Sequence, residues 1–301
     1  MALDDRILCS TITLRHLPLA EALAEIRLRG FAGIDLGALP GVCDHVPYDL
    51  DASSIAAITA TIRDAGLSVR SVNGDIGDLN VPLSASSQRD RMTHADLLLD
   101  LCESTGARAL VLPNGRQSHD PIATVDADLD LVAEQLAEVS IRARARGLEL
   151  WVEAPHWFRL TYDLERTSML ASRLSPEIGL VCDVSHVTAS GSSARVFLHR
   201  FGDRTRHIHI RDAEPGFIHH SVGRGSVDFA DLIACLAEID YAGALALELE
   251  TRDIEDEKRA TEALRVGEFL TGMLTSAQTS RCATTTVDPS PTEHAAEAGR
   301  A

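Results

Sequence analysis

Short apolar runs alternate along the chain with longer stretches in which apolar residues recur every three or four positions, so strand-like and helix-like patterns take turns. The strand-like runs fall at 6–13, 33–37, 69–75, 109–113, 149–154, 179–183, 207–210 and 245–250. Helical periodicity predicts helices over 18–28, 53–65, 86–104, 124–146, 164–174, 192–201, 229–239 and 256–274. Gly30, Gly66, Gly106 and Gly147 stand where four of those helices should stop, a place where a left-handed cap favours glycine. Eight strand–helix units predict an α/β fold, a (β/α)8 TIM barrel with right-handed parallel crossovers. A doubly wound sheet would be expected to carry a GxGxxG turn after its first strand, and none is present. The periodicity ends near Ser276. The expected organisation is one barrel domain over 1–275 and a disordered tail over 276–301, rich in Thr, Ser, Pro and Ala.

Composition narrows the partners. With 301 residues and 45% hydrophobic positions, the chain can bury a full barrel core without staples. Its six cysteines are scattered singly, the usage of a reducing compartment, and most are expected to be small buried hydrophobes. The N-terminal MALDDRILCS lacks the apolar core of a secretory signal, and no segment approaches the ~20 apolar residues that span a bilayer. A cytoplasmic protein with no membrane partner is expected. The net charge of −17 repels phosphate backbones and argues against nucleic acid as a partner. Lys258 is the only lysine and lies in the acidic run IEDEKRA, a poor setting for a Schiff-base lysine, so aldolase and pyridoxal chemistry fall away.

In a parallel barrel, chemistry sits at the C-terminal ends of the strands. The fifth run ends LWVEAP with Glu153, and the sixth is GLVCDVSH with Asp183 and His186. The seventh, RHIHIRD, puts His207 and His209 on one face with Asp212 at its exit. The eighth, ALALELE, does the same with Glu248 and Glu250. Converging carboxylates would repel one another and raise each other's pKa unless a cation lies among them. Such a mostly oxygen site suits Mn²⁺ foremost, then Mg²⁺ or Co²⁺, with Zn²⁺ or Fe²⁺ also compatible. Periodicity alone leaves open which histidine of the one pair, and which glutamate of the other, takes part.

The motifs VEAPH, VCDVSH, HIHIRD with the following GRGSVDF, and YAGALALELE resemble those of the xylose isomerase-like TIM-barrel superfamily, over roughly residues 6–274. Ketose 3-epimerases, hydroxypyruvate isomerase and inosose-processing enzymes belong there, with endonuclease IV a distant relative. The resemblance implies a metal site of Glu153, Asp183, His209 and Glu248. It also implies that the two glutamates are the acid and base: one removes the proton α to the substrate carbonyl and the other returns it, through a cis-enediolate that the cation stabilises. His186, three residues after Asp183, matches a substrate-binding histidine. Two positions depart from the pattern and bear on the identity of the substrate. Arg159 stands where some epimerases have a glutamate, and His219 where they have an arginine.

Several rim residues carry two readings. His156, in APHWF, is a substrate contact or general base, or else a loop histidine packed on Trp157; Trp157 and Phe158 read as an apolar wall over a sugar ring. His207 is expected to pack beneath a helix or to hydrogen-bond within the barrel, and Glu250 to be a rim carboxylate. His16 and His45 follow the first two strands, in the pocket or on the surface. Asn73 and Asn114 belong to Asn-Gly pairs, which are turn chemistry first. The GRGS loop at 223–226 is either a turn or a phosphate site that includes Arg224. The candidate substrate contacts are His186, His156, His219 and Arg224.

The expected function is a divalent-metal-dependent isomerase or epimerase of a sugar or polyol-derived keto compound, in a chain that is a candidate homo-oligomer. The alternative is a metal-dependent dehydratase of the 3-dehydroshikimate type on the same barrel, with His156 as base. An endonuclease IV-like site would need an Asp-x-His motif after the seventh strand, which is absent. The presence of all four ligand residues argues against a non-catalytic barrel.

Overall fold

The structure, a computed structural model, describes residues 2–285, with side chains through residue 279. The first half contains β1 (Ile7–Ser10), α1 (Leu19–Leu28), β2 (Gly33–Ala38), α2 (Ala52–Ala65), β3 (Ser68–Gly74), α3 (Ala85–Thr105), β4 (Ala109–Pro113) and α4 (Val125–Ala145). There follow β5 (Glu149–Glu153), α5 (Leu164–Ala171), β6 (Gly179–Asp183), α6 (Val184–Ala189), α7 (Ala194–Phe201) and β7 (Thr205–Ile210). A hairpin of β8 (Asp212–Glu214) and β9 (Phe217–His220) precedes α8 (Phe229–Glu238), β10 (Leu245–Leu247) and α9 (Arg259–Thr285). From β1 to β7 each strand pairs parallel with the next, and β10 closes the ring between β7 and β1. The expected eight-stranded barrel is the observed one.

Local chemistry sets the ends of these elements. Asp51, Ser84, Thr124 and Asp163 each accept a backbone N–H at the start of α2, α3, α4 and α5. Gly66 and Gly106 close α2 and α3 in the left-handed region, at φ 67° and 72°. Successive strand residues then face opposite ways. Leu150 and Val152 of β5 pack outward into the main core beneath the helices, where each such side chain contributes roughly 1.5–3 kcal/mol. Trp151 turns inward and meets Ala109, Val111 and Val181 in a separate apolar layer inside the barrel. Gly179 opens β6 because a Cβ there would lie 2.6 Å from Trp151 Cδ1 and 2.5 Å from Arg206 Cγ.

Four features differ from the sequence pattern. The first strand stops at Ser10, whose hydroxyl accepts from the Ile12 N–H and starts a 3-10 turn over Thr11–Leu14. The last strand stops at Leu247, so Glu248 and Glu250 lie just beyond it. Helix α6 follows β6 directly, capped by the Asp183 side chain. Helix α9 continues to Thr285, past the expected end, and its buried stripe of Ala263, Val266, Leu270 and Leu274 is followed one turn on by Ala277, half-buried against the core. The remainder of the expected tail, 286–301, lies outside the described residues. Among the described residues no helix is long and apolar enough to cross a membrane. Cys9, Cys43, Cys102, Cys182 and Cys235 are free and buried, as expected.

Candidate active site

The strand ends bring four side chains to one point. Glu153 and Asp183 are the last residues of β5 and β6, His209 lies near the end of β7, and Glu248 follows β10. One donor atom of each lies within 4.8 Å of the other three, and all four residues are buried. His209 Nδ1 is 2.8 Å from Glu248 Oε2 and 3.3 Å from Glu153 Oε1. Its other nitrogen, Nε2, is 3.2 Å from Asp35 Oδ2 on β2. His207 is turned deeper into the barrel, where Nε2 donates to Asp35 Oδ2 at 2.6 Å and the ring stacks on Trp151. Glu250 stands apart from the four, held by Arg211 Nη1 at 2.9 Å and by Arg15.

The electrostatics are those of crowded anions. Burial pushes the Glu248 carboxyl up to about 7; Glu153 adds to this and His209 opposes it. Burial opposes charge on His209, yet Glu248, Asp35 and Glu153 together hold its imidazolium well above the ordinary histidine range. The same contest holds the Asp35 carboxyl far below its usual range, because His207 and His209 outweigh burial. Arg211 is 1% exposed, and Asp183 and Glu250 keep it charged despite burial. Asp183 Oδ1 accepts from the Ser185 N–H and hydroxyl and from the His186 N–H, while Oδ2 lies 3.2 Å from Arg211. Two glutamates, an aspartate and an imidazole nitrogen, all desolvated and mutually close, form a donor set that fits a divalent cation.

Above this cluster opens a cavity of about 310 Å³, with Glu153 and Glu248 in its lining. Three of the expected substrate residues, His156, His186 and His219, line it too. His186 Nδ1 accepts from the Trp157 N–H at 2.9 Å, so a neutral ring carries its proton on Nε2. Burial and Arg211 push this histidine well down. His156 stacks on it at 4.0 Å, accepts from the Phe158 N–H through Nδ1, and places Nε2 3.8 Å from Glu153 Oε2. His219 donates from Nδ1 to the Glu250 carbonyl, and its Nε2 is buried without a partner. Burial and Arg211 push its pKa down to about 4, so Nε2 offers a lone pair.

The remaining candidates are placed elsewhere. Arg224 is exposed, lies outside that lining and pairs with Asp253 at 3.3 Å. The GRGS loop spends its donors internally: the N–H groups of Gly223, Gly225 and Val227 point to the Asp212 carboxylate at 2.8, 3.0 and 3.1 Å. Phe158 lines the cavity, whereas Trp157 packs edge-on against His119 and Tyr162. His16 is exposed; His45 is buried against the Leu17 carbonyl. Asn73 Nδ2 reaches Glu248 at 3.4 Å, and Asn114 Nδ2 donates to the Glu153 carbonyl at 2.7 Å, steadying the end of β5. Arg159 ties the loops after β3 and β4 to its own, through Asp75 at 2.9 Å and the Gly115 carbonyl. Sequence reading missed Asp35 and Arg211. The signal for the first is a carboxylate inside the apolar run GIDLGA, and for the second a charge between HIHI and Asp212.

Comparison with known proteins bears on the family and the fold. A family model described as xylose isomerase-like TIM barrel matches residues 23–270. The chain is 26% identical over 247 residues to an L-ribulose 3-epimerase of Mesorhizobium japonicum, covering 79% of this chain and 78% of that protein. It is 30% identical over 95 residues to an L-ribulose 3-epimerase of a Methylomonas species, 32% of each chain. Among solved structures, an L-ribulose 3-epimerase superposes with a TM-score of 0.76 at 20% identity, covering 96% of this chain and all of that one. The IOLI protein with a bound zinc atom superposes with a TM-score of 0.72 at 18% identity, covering 90% and 99%. These structural likenesses show a shared fold.

Proposed function

Because the chain belongs to the xylose isomerase-like TIM-barrel family, we propose that it is a divalent-metal-dependent epimerase or isomerase of a sugar or polyol-derived keto compound. The observation that carries this reading is the pair Glu153 and Glu248, both in the cavity lining and both against the same nitrogen of His209. Glu153, Asp183, His209 and Glu248 would hold the cation. When bound, a divalent cation supplies positive charge that favours negative charge on the substrate's oxygens. Glu153 and Glu248 act as the acid–base pair: one, ionised, takes the proton from the carbon next to the carbonyl, and the other, protonated, gives its own solvent-exchangeable proton to the opposite face of the enediolate. His186 donates from Nε2, and His219 accepts a substrate hydroxyl at its unpartnered Nε2. Phe158 gives the sugar an apolar side to lie on.

His156 bears on the choice between epimerisation and dehydration. Its Nδ1 is engaged by the Phe158 N–H, and the nitrogen toward Glu153 then carries the proton of a neutral ring. Burial and His186 keep the ring neutral. A histidine so placed faces Glu153 with its Nε2 proton, 3.8 Å from the carboxylate, and has no free lone pair with which to act as a dehydratase base. The kinship with two L-ribulose 3-epimerases points the same way.

The test is elemental analysis of the purified protein, followed by a panel of ketoses, inososes and 3-dehydroshikimate in D2O. The expected result is a bound divalent metal and an epimerised product carrying one deuterium at the inverted carbon. Epimerisation without solvent deuterium would remove the two glutamates from proton transfer. An ultraviolet chromophore growing from 3-dehydroshikimate would make the chain a lyase.

A further inference from the structure

Beneath the four donors lies a second buried polar group that takes no part in the proposed proton transfer. Asp35 of β2 and Ser71 of β3 meet His207 and His209 of β7 inside the barrel, and all four are fully buried. The neighbouring interior layer is apolar, built from Ala109, Val111, Trp151 and Val181. A carboxylate at this depth carries a desolvation penalty that aliphatic packing would avoid, so its partners must justify it. Those partners are specific. Ser71 Oγ donates to Oδ1, and His207 Nε2 donates to Oδ2 at 2.6 Å. His207 is itself braced by its stack on Trp151, with ring centroids 5.4 Å apart.

The same Oδ2 lies 3.2 Å from His209 Nε2. That nitrogen has no aligned hydrogen bond, and Asp35 is the acid beside it. His209 can give a lone pair from Nδ1 only when its proton sits on Nε2, and a carboxylate facing Nε2 favours that tautomer. We propose that Asp35 is the positioning residue for His209: in the cation-bound protein it would hold the proton on Nε2 and so leave Nδ1 as the ligating nitrogen beside Glu153 and Glu248, with Ser71 and His207 fixing the carboxylate. The inference rests on the metal reading of those donors. It assigns Asp35, which ligates nothing, a large share of the affinity for the cation. It also gives His207 the task of orienting Asp35 rather than of binding metal.

The experiment uses the metal-stripped protein. Mn²⁺ is titrated calorimetrically into wild type, Asp35→Asn and Asp35→Ala, with circular dichroism checking that each is folded. Wild type should bind one Mn²⁺ per chain, and both variants about 10–100-fold more weakly. A separate readout needs no variant at position 35. In Zn²⁺-loaded protein with ¹⁵N-labelled histidine, the His209 ring, identified by its loss in His209→Gln, should carry its proton on Nε2. Folded variants with a dissociation constant within about twofold of wild type, or a proton on Nδ1 of the loaded His209, would overturn this inference and leave the metal site standing. Two Mn²⁺ per chain would overturn it as well, making Asp35, His207 and His209 a metal cluster in their own right. A wild type that binds no Mn²⁺ and no other divalent ion would sink the metal reading and this inference together.

Discussion

Glu153 ends β5 and Glu248 follows β10, yet each places a carboxylate oxygen near the same nitrogen of His209, at 3.3 and 2.8 Å. The imidazole is the shared neighbour of the two groups that the proposed reaction needs. Glu153→Gln and Glu248→Gln keep the shape of each side chain and remove its basicity. Each should lower kcat at least a hundredfold with the fold unchanged by circular dichroism, and residual activity above about a hundredth of wild type would take that glutamate out of proton transfer.

The proposed metal site has a readout of its own. Asp183→Asn combined with His209→Ala removes a charge and a nitrogen from the donor set, and elemental analysis after dialysis should find the metal-to-protein ratio near zero. An unchanged ratio would place the ion elsewhere in the chain. The same cation should raise wild-type stability by about 2.7 kcal/mol when present at a hundred times its dissociation constant, read as a higher Tm that the double variant lacks.

Arg211 joins Asp183 to Glu250 from a site that is 1% exposed. Removing one partner of a buried pair leaves the other charges without compensation, so Arg211→Met should lose roughly 3–5 kcal/mol in urea unfolding. A loss below about 1 kcal/mol would mean that the acids it faces are balanced by something else.

Gly179 gives the interior layer its room. In Gly179→Ala the new methyl would press on Trp151, at a cost of roughly 1–3 kcal/mol, and Trp151 fluorescence should shift as the ring is displaced. An alanine variant with wild-type stability and an unchanged emission maximum would show that the barrel yields at this point.

The barrel was legible because strand alternation and helix periodicity are local properties, and its rim because charges ending apolar runs have few other reasons to be there. What escaped notice was long-range. Asp35 takes its meaning from two histidines more than 170 residues away, Nε2 of His207 in particular, and nothing in GIDLGA names them. Arg211 likewise pairs forward to Glu250 and back to Asp183. Helix α6 was hidden by economy: Asp183 ends a strand, caps a helix and joins the donor cluster, and the sequence suggests only one of these roles at a time.

The loop that reads as a phosphate cradle holds an anion of its own. An incoming phosphate would have to evict a carboxylate fixed to the same chain, whose effective concentration at the three amides is on the order of millimolar or higher and never dilutes. Asp212 acts as a permanent competitive inhibitor of that subsite. Phosphate binding at this loop would require the loss of Asp212.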